Sequence, residues 1–331
     1  MSDASKSMPL NDIYRTIQSD LDAVERSLKE LGGSSNPLIA EINRYLLEKS
    51  GKRIRPALLM LSAKLCGYEG RDHVFWSALV EIIHTASLIH DDIVDNSTLR
   101  RGQDTVHSRW GANITVLLGD FLYIQSIALA LKTKTYDLID ILADVTARMI
   151  EGELIEYSVS GNPELSEDVY REIIDKKTAQ LFADSCRIGA RLASASPEDT
   201  RRLTEFGRLI GIAFQIVDDL LDYTGDAATL GKPVLSDIRE GRVTLPLIHA
   251  LRRTAGESRE DLLRGYRERA GDSKAAEKIL AAVAKTASLD YAYAQAASCI
   301  GRAKELLAAF APGEHREALV QIADLVLRRK K

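Results

Sequence analysis

Leu10-Asn-Asp-Ile13-Tyr-Arg-Thr-Ile17-Gln-Ser-Asp-Leu21-Asp-Ala-Val24-Glu-Arg-Ser-Leu28-Lys-Glu-Leu31 decides the class of fold. Leu10, Ile13, Ile17, Leu21, Val24 and Leu28 recur every three or four positions, so they line one stripe of a helix. Gly32-Gly33 closes that helix. The same period runs outward through Pro37–Leu47, Pro56–Leu65, His73–Val94, Asn113–Leu131, Tyr136–Tyr157, Ser166–Leu192 and Pro197–Tyr223. Beyond a Gly- and Pro-containing loop come Thr244–Arg253, a charged stretch to Arg269, Ala275–Phe310 with a break, and Glu314–Arg329. Ser166-Glu-Asp168 and Ser196-Pro-Glu-Asp199 read as helix starts, each with a hydroxyl cap and acids in the first turn. No proline falls between Pro56 and Pro163, which suits long uninterrupted helices. No alternating run is long enough for a sheet. The expectation is an all-α chain forming a single domain over residues 1–331, with a short flexible N-terminus of about nine residues.

Composition agrees with this class. Of 331 residues, 45% are apolar and 28% charged, as in a globular protein, and the 6% aromatic content favours helix over sheet. A net charge of -4 supplies no global field for nucleic acid, so a small anionic substrate needs a local basic pocket. Cys66, Cys186 and Cys299 are far apart and form no CxxC pair, so they read as buried or incidental thiols. The N-terminus to Asp12 has no hydrophobic signal region. Ile114–Leu131, the most apolar stretch, is broken by Gly119, Asp120 and Gln125 and falls short of the ~20 uninterrupted apolar residues of a membrane span. A soluble, cytoplasmic protein is expected.

Two aspartate clusters carry the chemistry. Asp91-Asp92-x-x-Asp95 and Asp218-Asp219-x-x-Asp222 each place two carboxylates one helical turn apart on one face. Each follows an apolar run, so each helix runs through the core and surfaces with its acids. Carboxylates at this spacing repel, and burying them unpaired is costly. A single such cluster could be a solvated acidic face. Two of them, each beside basic residues, imply a cation, and hard oxygen donors suit Mg²⁺ shared with substrate phosphates.

The basic residues lie nearby in sequence. Ser50-Gly-Lys52-Arg53-Ile-Arg55-Pro56 puts three cations in a turn entering a helix, and arginine forks match diphosphate oxygens. Arg100-Arg101-Gly102 follows the first cluster, Lys176-Lys177-Thr178 precedes an apolar run, and Lys232 follows Gly231. His84 lies two turns before Asp91 on the aspartate face.

With these motifs the chain resembles the trans-isoprenyl diphosphate synthases of the polyprenyl synthetase family, from Ile39 to Arg329. The carriers are Gly51-Lys-Arg-Ile-Arg-Pro56, Glu81-Ile-Ile-His84, Leu88-Ile-His-Asp-Asp-Ile-Val-Asp95, Leu99-Arg-Arg-Gly102, Gly119-Asp-Phe-Leu122, Lys177-Thr178, Phe214-Gln-Ile-Val-Asp-Asp-Leu-Leu-Asp222, Gly231-Lys-Pro233 and Glu240-Gly-Arg-Val-Thr-Leu-Pro246. The resemblance implies the isoprenoid synthase fold, a bundle of long antiparallel helices around a central cavity, and a homodimer. It implies that Asp91 and Asp95 hold two Mg²⁺ ions on an allylic diphosphate and Asp218 a third, with Asp222 helping through water. It gives Arg100, Lys177 and Lys232 to the allylic diphosphate, and Lys52, Arg55, His84 and Arg101 to isopentenyl diphosphate. Thr178 and Gln215 fall where the family stabilises developing charge. Ser50 and Arg242 depart from the commonest pattern, which has glycine and lysine there. All six cluster aspartates are present, unlike in a non-catalytic subunit.

Bulk just before the first cluster limits product length in the family. Ala86 and Ser87 are small, so a long product of octaprenyl to decaprenyl type is expected. A short-chain farnesyl or geranylgeranyl synthase is the alternative. A terpene cyclase would have no use for Lys52, Arg55 and His84, and a non-enzymatic scaffold none for the aspartates. Arg328-Arg329-Lys330-Lys331 offers a contact to an anionic membrane on product release, although a terminal basic run is ordinarily just solvated.

Overall fold

An amphipathic helix hides its apolar stripe only against other elements, so a chain written almost wholly at helical period must pack helix on helix. The computed structural model does this, and it describes residues 10–48, 51–100, 102–224, 234–269 and 273–329. The expected flexible N-terminus (residues 1–9), Ser50, Arg101, Lys232 with Gly231 and Pro233, and Lys330-Lys331 lie outside the described residues.

A helical turn at Leu10–Ile13 and a 3₁₀ turn at Arg15–Ile17 lead into α1 (Gln18–Leu31), α2 (Pro37–Leu47), α3 (Ile54–Leu65) and α4 (Asp72–Val94). A two-residue antiparallel ladder, β1 (Leu99–Arg100) with β2 (Gln103–Asp104), precedes α5 (Val106–Trp110), α6 (Ala112–Leu131) and α7 (Tyr136–Val159). Then come α8 (Glu167–Ile174), a π-helical turn at Asp175–Ala179, α9 (Gln180–Leu192), α10 (Pro197–Thr224), α11 (Ser236–Arg239) and α12 (Leu245–Arg253). The chain finishes with α13 (Gly256–Arg267), α14 (Ser273–Lys285), α15 (Ser288–Leu307) and α16 (Glu314–Leu327). The all-α expectation holds. The small ladder was absent from the sequence reading because two residues per strand carry no periodicity.

The chain divides into two compact units. The first comprises Met1–Ala147, Leu181–Gly207 and Glu305–Ile322. In it α4 packs against α1, α3 and α6, with Trp76, Leu79, Val80, Ile83, Ala86 and Ile89 buried along its length. The second comprises Arg148–Gln180, Arg208–Lys304 and Ala323–Lys331. Its core includes Ile210, Ala213, Ile216, Val217, Leu220 and Tyr223 of α10, with Leu247, Leu262, Ile279 and Ile300.

Two readings sharpen here. Cys66, Cys186 and Cys299 are in no disulfide and the last two are buried; burial raises the Cys186 pKa to about 12. Helix α6, expected to fall short of a membrane span, is long and apolar enough for one, with a mean hydropathy of 1.8. One side of it packs on α4, while Leu117 and Ile124 on the other are 68% and 71% exposed.

Candidate active site

In the first unit, the buried stripe of α4 delivers its acids at the helix end. Asp91 and Asp95 are half-buried, and Asp92 between them is buried. Asp95 closes the helix, its N–H donating to the Asp91 carbonyl. Carboxylates here sit at the negative end of the helix dipole, and the last turn of α4 holds no basic residue. Asp92 turns away from the pair: its Oδ1 accepts from Arg100 Nε at 2.6 Å. Burial raises its pKa, and Arg100 opposes that rise.

The basic turn is clamped from behind. Arg53 adopts a left-handed backbone (φ 52°) as it enters α3, a conformation ordinarily left to glycine or asparagine. Its guanidinium compensates by bridging Glu25 Oε1 at 2.5 Å and Glu81 Oε1 at 2.6 Å, and Tyr14 Oη donates to the Lys52 carbonyl at 3.0 Å. Arg55 Nη1 meets His84 Nε2 at 3.0 Å, and its guanidinium lies 4.4 Å from the Phe182 ring centroid. Guanidinium only donates, so Nε2 of His84 is the acceptor in this contact. Two of the three residues expected together, Arg55 and His84, are thus in direct contact. A cavity of about 100 Å³ lies here, lined by Tyr45, Arg53, Glu81, His84, Asp92 and Arg100 among others.

The second unit holds the other cluster, and its three acids have three different tasks. Asp218 is 43% exposed and pairs with Arg329 at 3.0 Å, while that guanidinium stacks 3.9 Å over Phe214. Asp219 is buried and accepts from Tyr170 Oη at 2.6 Å and Gln215 Nε2 at 2.9 Å. Burial, then nearby Asp237, push the Asp219 pKa well above the usual carboxylate range. Asp222 is 1% exposed. Its Oδ1 accepts from Ser236 N at 3.1 Å and Ser236 Oγ at 2.6 Å, and its Oδ2 from Asp237 N at 3.1 Å. The structure thus separates Asp222 from its sequence twin Asp95: it anchors the start of α11. Arg242 serves the same corner, bound to Asp237 at 3.0 Å and to Glu240.

Lys177 and Thr178 lie on the π-helical turn rather than in an unbroken helix, as the sequence period had suggested. Such turns widen the helix and re-aim side chains, and they recur at functional sites. Two glycines let neighbouring helices reach its backbone. A Cβ at Gly152 would fall 2.7 Å from Lys177 N, and one at Gly211 would fall 2.5 Å from Ala179 Cα. Gly211→Ala is accordingly expected to destabilise the fold by about 1–3 kcal/mol through overpacking; an unchanged urea midpoint would contradict that contact. Lys177 Nζ pairs with Glu153 at 2.6 Å and with Glu156. Thr178 Oγ1 donates to Gln215 Oε1 at 2.8 Å, so two predicted residues are joined.

Several partners escaped the sequence reading. Glu81 was part of the Glu81-Ile-Ile-His84 motif, but its pairing with Arg53 was not foreseen. Glu25, Tyr170, Glu153 and Arg329 had none, because each meets its partner only through the fold.

The acid ends of α4 and α10 suit a divalent cation. Both are oxygen-rich, and neither helix has a basic residue in its last turn. Arg329 already shows that Asp218 accommodates a cationic group. Among the described residues no group of three His, Cys, Asp or Glu side chains forms a cage alone.

These features define a helical enzyme for diphosphate chemistry. The chain belongs to the polyprenyl synthetase family: residues 36–283 match the family model described as Polyprenyl synthetase. It is similar to the octaprenyl diphosphate synthase of Haemophilus influenzae, at 35% identity over 97% of this chain and 98% of that protein. It is also similar to a short chain isoprenyl diphosphate synthase of Methanothermobacter thermautotrophicus, at 34% identity over 98% and 99%. A solved polyprenyl synthase of Caulobacter crescentus, complexed with calcium and isoprenyl diphosphate, superimposes with a TM-score of 0.93. That structure is 35% identical and covers 98% of this chain and 99% of its own. The protein is a prenyltransferase.

Proposed function

We propose that this prenyltransferase uses magnesium to condense isopentenyl diphosphate with an allylic diphosphate, giving an all-trans polyprenyl diphosphate of octaprenyl to decaprenyl length. The observation that carries the reading is the placement of Asp91, Asp95 and Asp218 at acidic helix ends that lack basic residues in their last turns. Three Mg²⁺ ions, held by these aspartates, would neutralise the diphosphate as its C–O bond breaks.

The remaining steps belong to the chain. Lys52, Arg55 and His84 hold isopentenyl diphosphate, assisted by Arg101. Arg100 and Lys177, with Lys232, hold the allylic diphosphate. Carboxylate partners already fix the directions of Arg100 and Lys177, so little side-chain freedom is lost on binding. The isopentenyl double bond attacks the allylic carbon, and the departing proton goes to the diphosphate leaving group.

Ala86 is fully buried and Ser87 bonds the His84 carbonyl of its own helix, so neither extends bulk from α4. That supports a long product. A short-chain product is the second reading, favoured by the Methanothermobacter relative. Incubation with farnesyl and isopentenyl diphosphates, followed by mass spectrometry of the products, separates them. Eight to ten isoprene units are expected; a dominant farnesyl or geranylgeranyl product would overturn the long-chain reading.

Helix α6 supports a homodimer. Val116, Leu117, Ile124 and Leu131 form an exposed apolar surface that a second copy would cover. A cytoplasmic setting goes with this reading. Any membrane contact at the C-terminus falls to exposed Arg328 and the residues beyond, since Arg329 is engaged with Asp218.

A further inference from the structure

Two motif residues, His90 and Gly119, take no part in the chemistry above, yet the fold brings them together. His90 precedes Asp91 on α4, and Gly119 lies on α6, against which α4 packs. The His90 side chain is 29% exposed, and its Nε2 lies 3.1 Å from the Val116 carbonyl oxygen. A carbonyl only accepts, so Nε2 donates. The ring also tilts against Tyr123, with centroids 5.9 Å apart, while exposed Asp120 stays 3.8 Å from Nε2. A Cβ at Gly119 would fall 2.1 Å from Nε2, 2.5 Å from Cδ2 and 2.8 Å from Cε1 of His90. The imidazole therefore occupies the space a side chain at position 119 would need.

The last turn of α4 has reason to be tied down. It carries Asp91 and Asp92, with Asp95 closing it, and no basic residue, against the helix dipole. Helix ends fray, and like charges one turn apart repel. Two ties bracket Asp91 in sequence. On one side Asp92 holds Arg100 of β1 at 2.6 Å; on the other, His90 holds α6. Together they fix the backbone from which the Asp91 carboxylate projects. Asp95 follows, because its N–H donates to the Asp91 carbonyl at 2.8 Å.

We propose that His90 is a positioning residue: seated on Gly119 and bonded to the Val116 carbonyl, it ties the last turn of α4 to α6 and so holds Asp91 and Asp95 ready for a divalent cation. The inference rests on the metal role given to those aspartates above. Carboxylates on an ordered turn lose little freedom when the cation arrives, whereas a frayed turn must first be ordered, which weakens binding. Gly119 gains a reason as well, since any side chain there unseats the ring.

Gly119→Ala tests this with the histidine still present. In metal-free protein, hydrogen exchange of the amides of residues 89–95 should quicken about ten-fold in both Gly119→Ala and His90→Ala, while residues 76–83 exchange as in wild type. His90→Gln keeps an N–H donor at similar reach and should stay within about three-fold of wild type. The magnesium concentration giving half-maximal condensation should rise about ten-fold in Gly119→Ala and His90→Ala, with KM for isopentenyl diphosphate within about two-fold. Both substitutions together should be no worse than His90→Ala alone, because they break one contact. Wild-type exchange of residues 89–95 in His90→Ala, an unchanged magnesium requirement, or full additivity of the pair would each overturn the inference. Should Gly119→Ala not fold, the comparison of His90→Ala with His90→Gln still decides. A wild-type protein that needs no divalent metal overturns the functional reading and this inference with it; a magnesium-dependent wild type with an unaltered His90→Ala sinks the inference alone.

Discussion

Asp91→Ala is expected to lower kcat/KM for condensation by roughly 10³-fold, about 4 kcal/mol of transition-state stabilisation, without unfolding the protein. Asp91 is half-buried at the negative end of α4, where a carboxylate is a burden to the helix rather than a support. Removing it should leave stability unchanged or raise it by less than about 1 kcal/mol. Asp222→Ala makes the contrast. That carboxylate accepts three hydrogen bonds from Ser236 and Asp237, and its loss strands those donors in a buried corner. The fold should weaken by about 3 kcal/mol, read from the denaturant midpoint. Equal effects of the two substitutions on stability would show that the clusters do not divide labour as described.

Arg55→Ala is expected to raise KM for isopentenyl diphosphate by roughly 10- to 100-fold while KM for the allylic substrate moves less than about two-fold. Lysine should not rescue it. Arg55 is held by a donation to His84 and by stacking on Phe182, and only a planar guanidinium does both while presenting a fork to phosphate. Kinetics with each substrate varied in turn provide the check. A matching rise in both KM values would mean that Arg55 does not distinguish the two diphosphates.

Much of this was legible in the chain because it is local. Helices follow from apolar residues three and four apart, and their ends from Ser166, Pro197 and the glycines. The aspartate clusters announce themselves because i,i+4 carboxylates are unfavourable unless something binds them. What sequence spacing could not supply is partner choice at a distance. Asp95 and Asp222 have the same spacing, yet nothing in that spacing tells that Asp222 meets a returning chain at Ser236 and Asp237. Arg329 reads as a solvated terminal cation until α16 brings it to Asp218. The π-helical turn under Lys177 depends on backbones meeting at Gly152 and Gly211, which single-helix periodicity does not register. The left-handed Arg53 is held where Glu25 and Glu81 converge on its guanidinium.

The most direct test of the central claim is incorporation of radiolabelled isopentenyl diphosphate into an acid-stable, solvent-extractable product, with magnesium and the allylic diphosphate each supplied or withheld. The account predicts incorporation only when both are present, with label in linear prenyl chains. Incorporation without the allylic substrate or without magnesium, or conversion of the allylic diphosphate alone into a cyclised hydrocarbon, would contradict it.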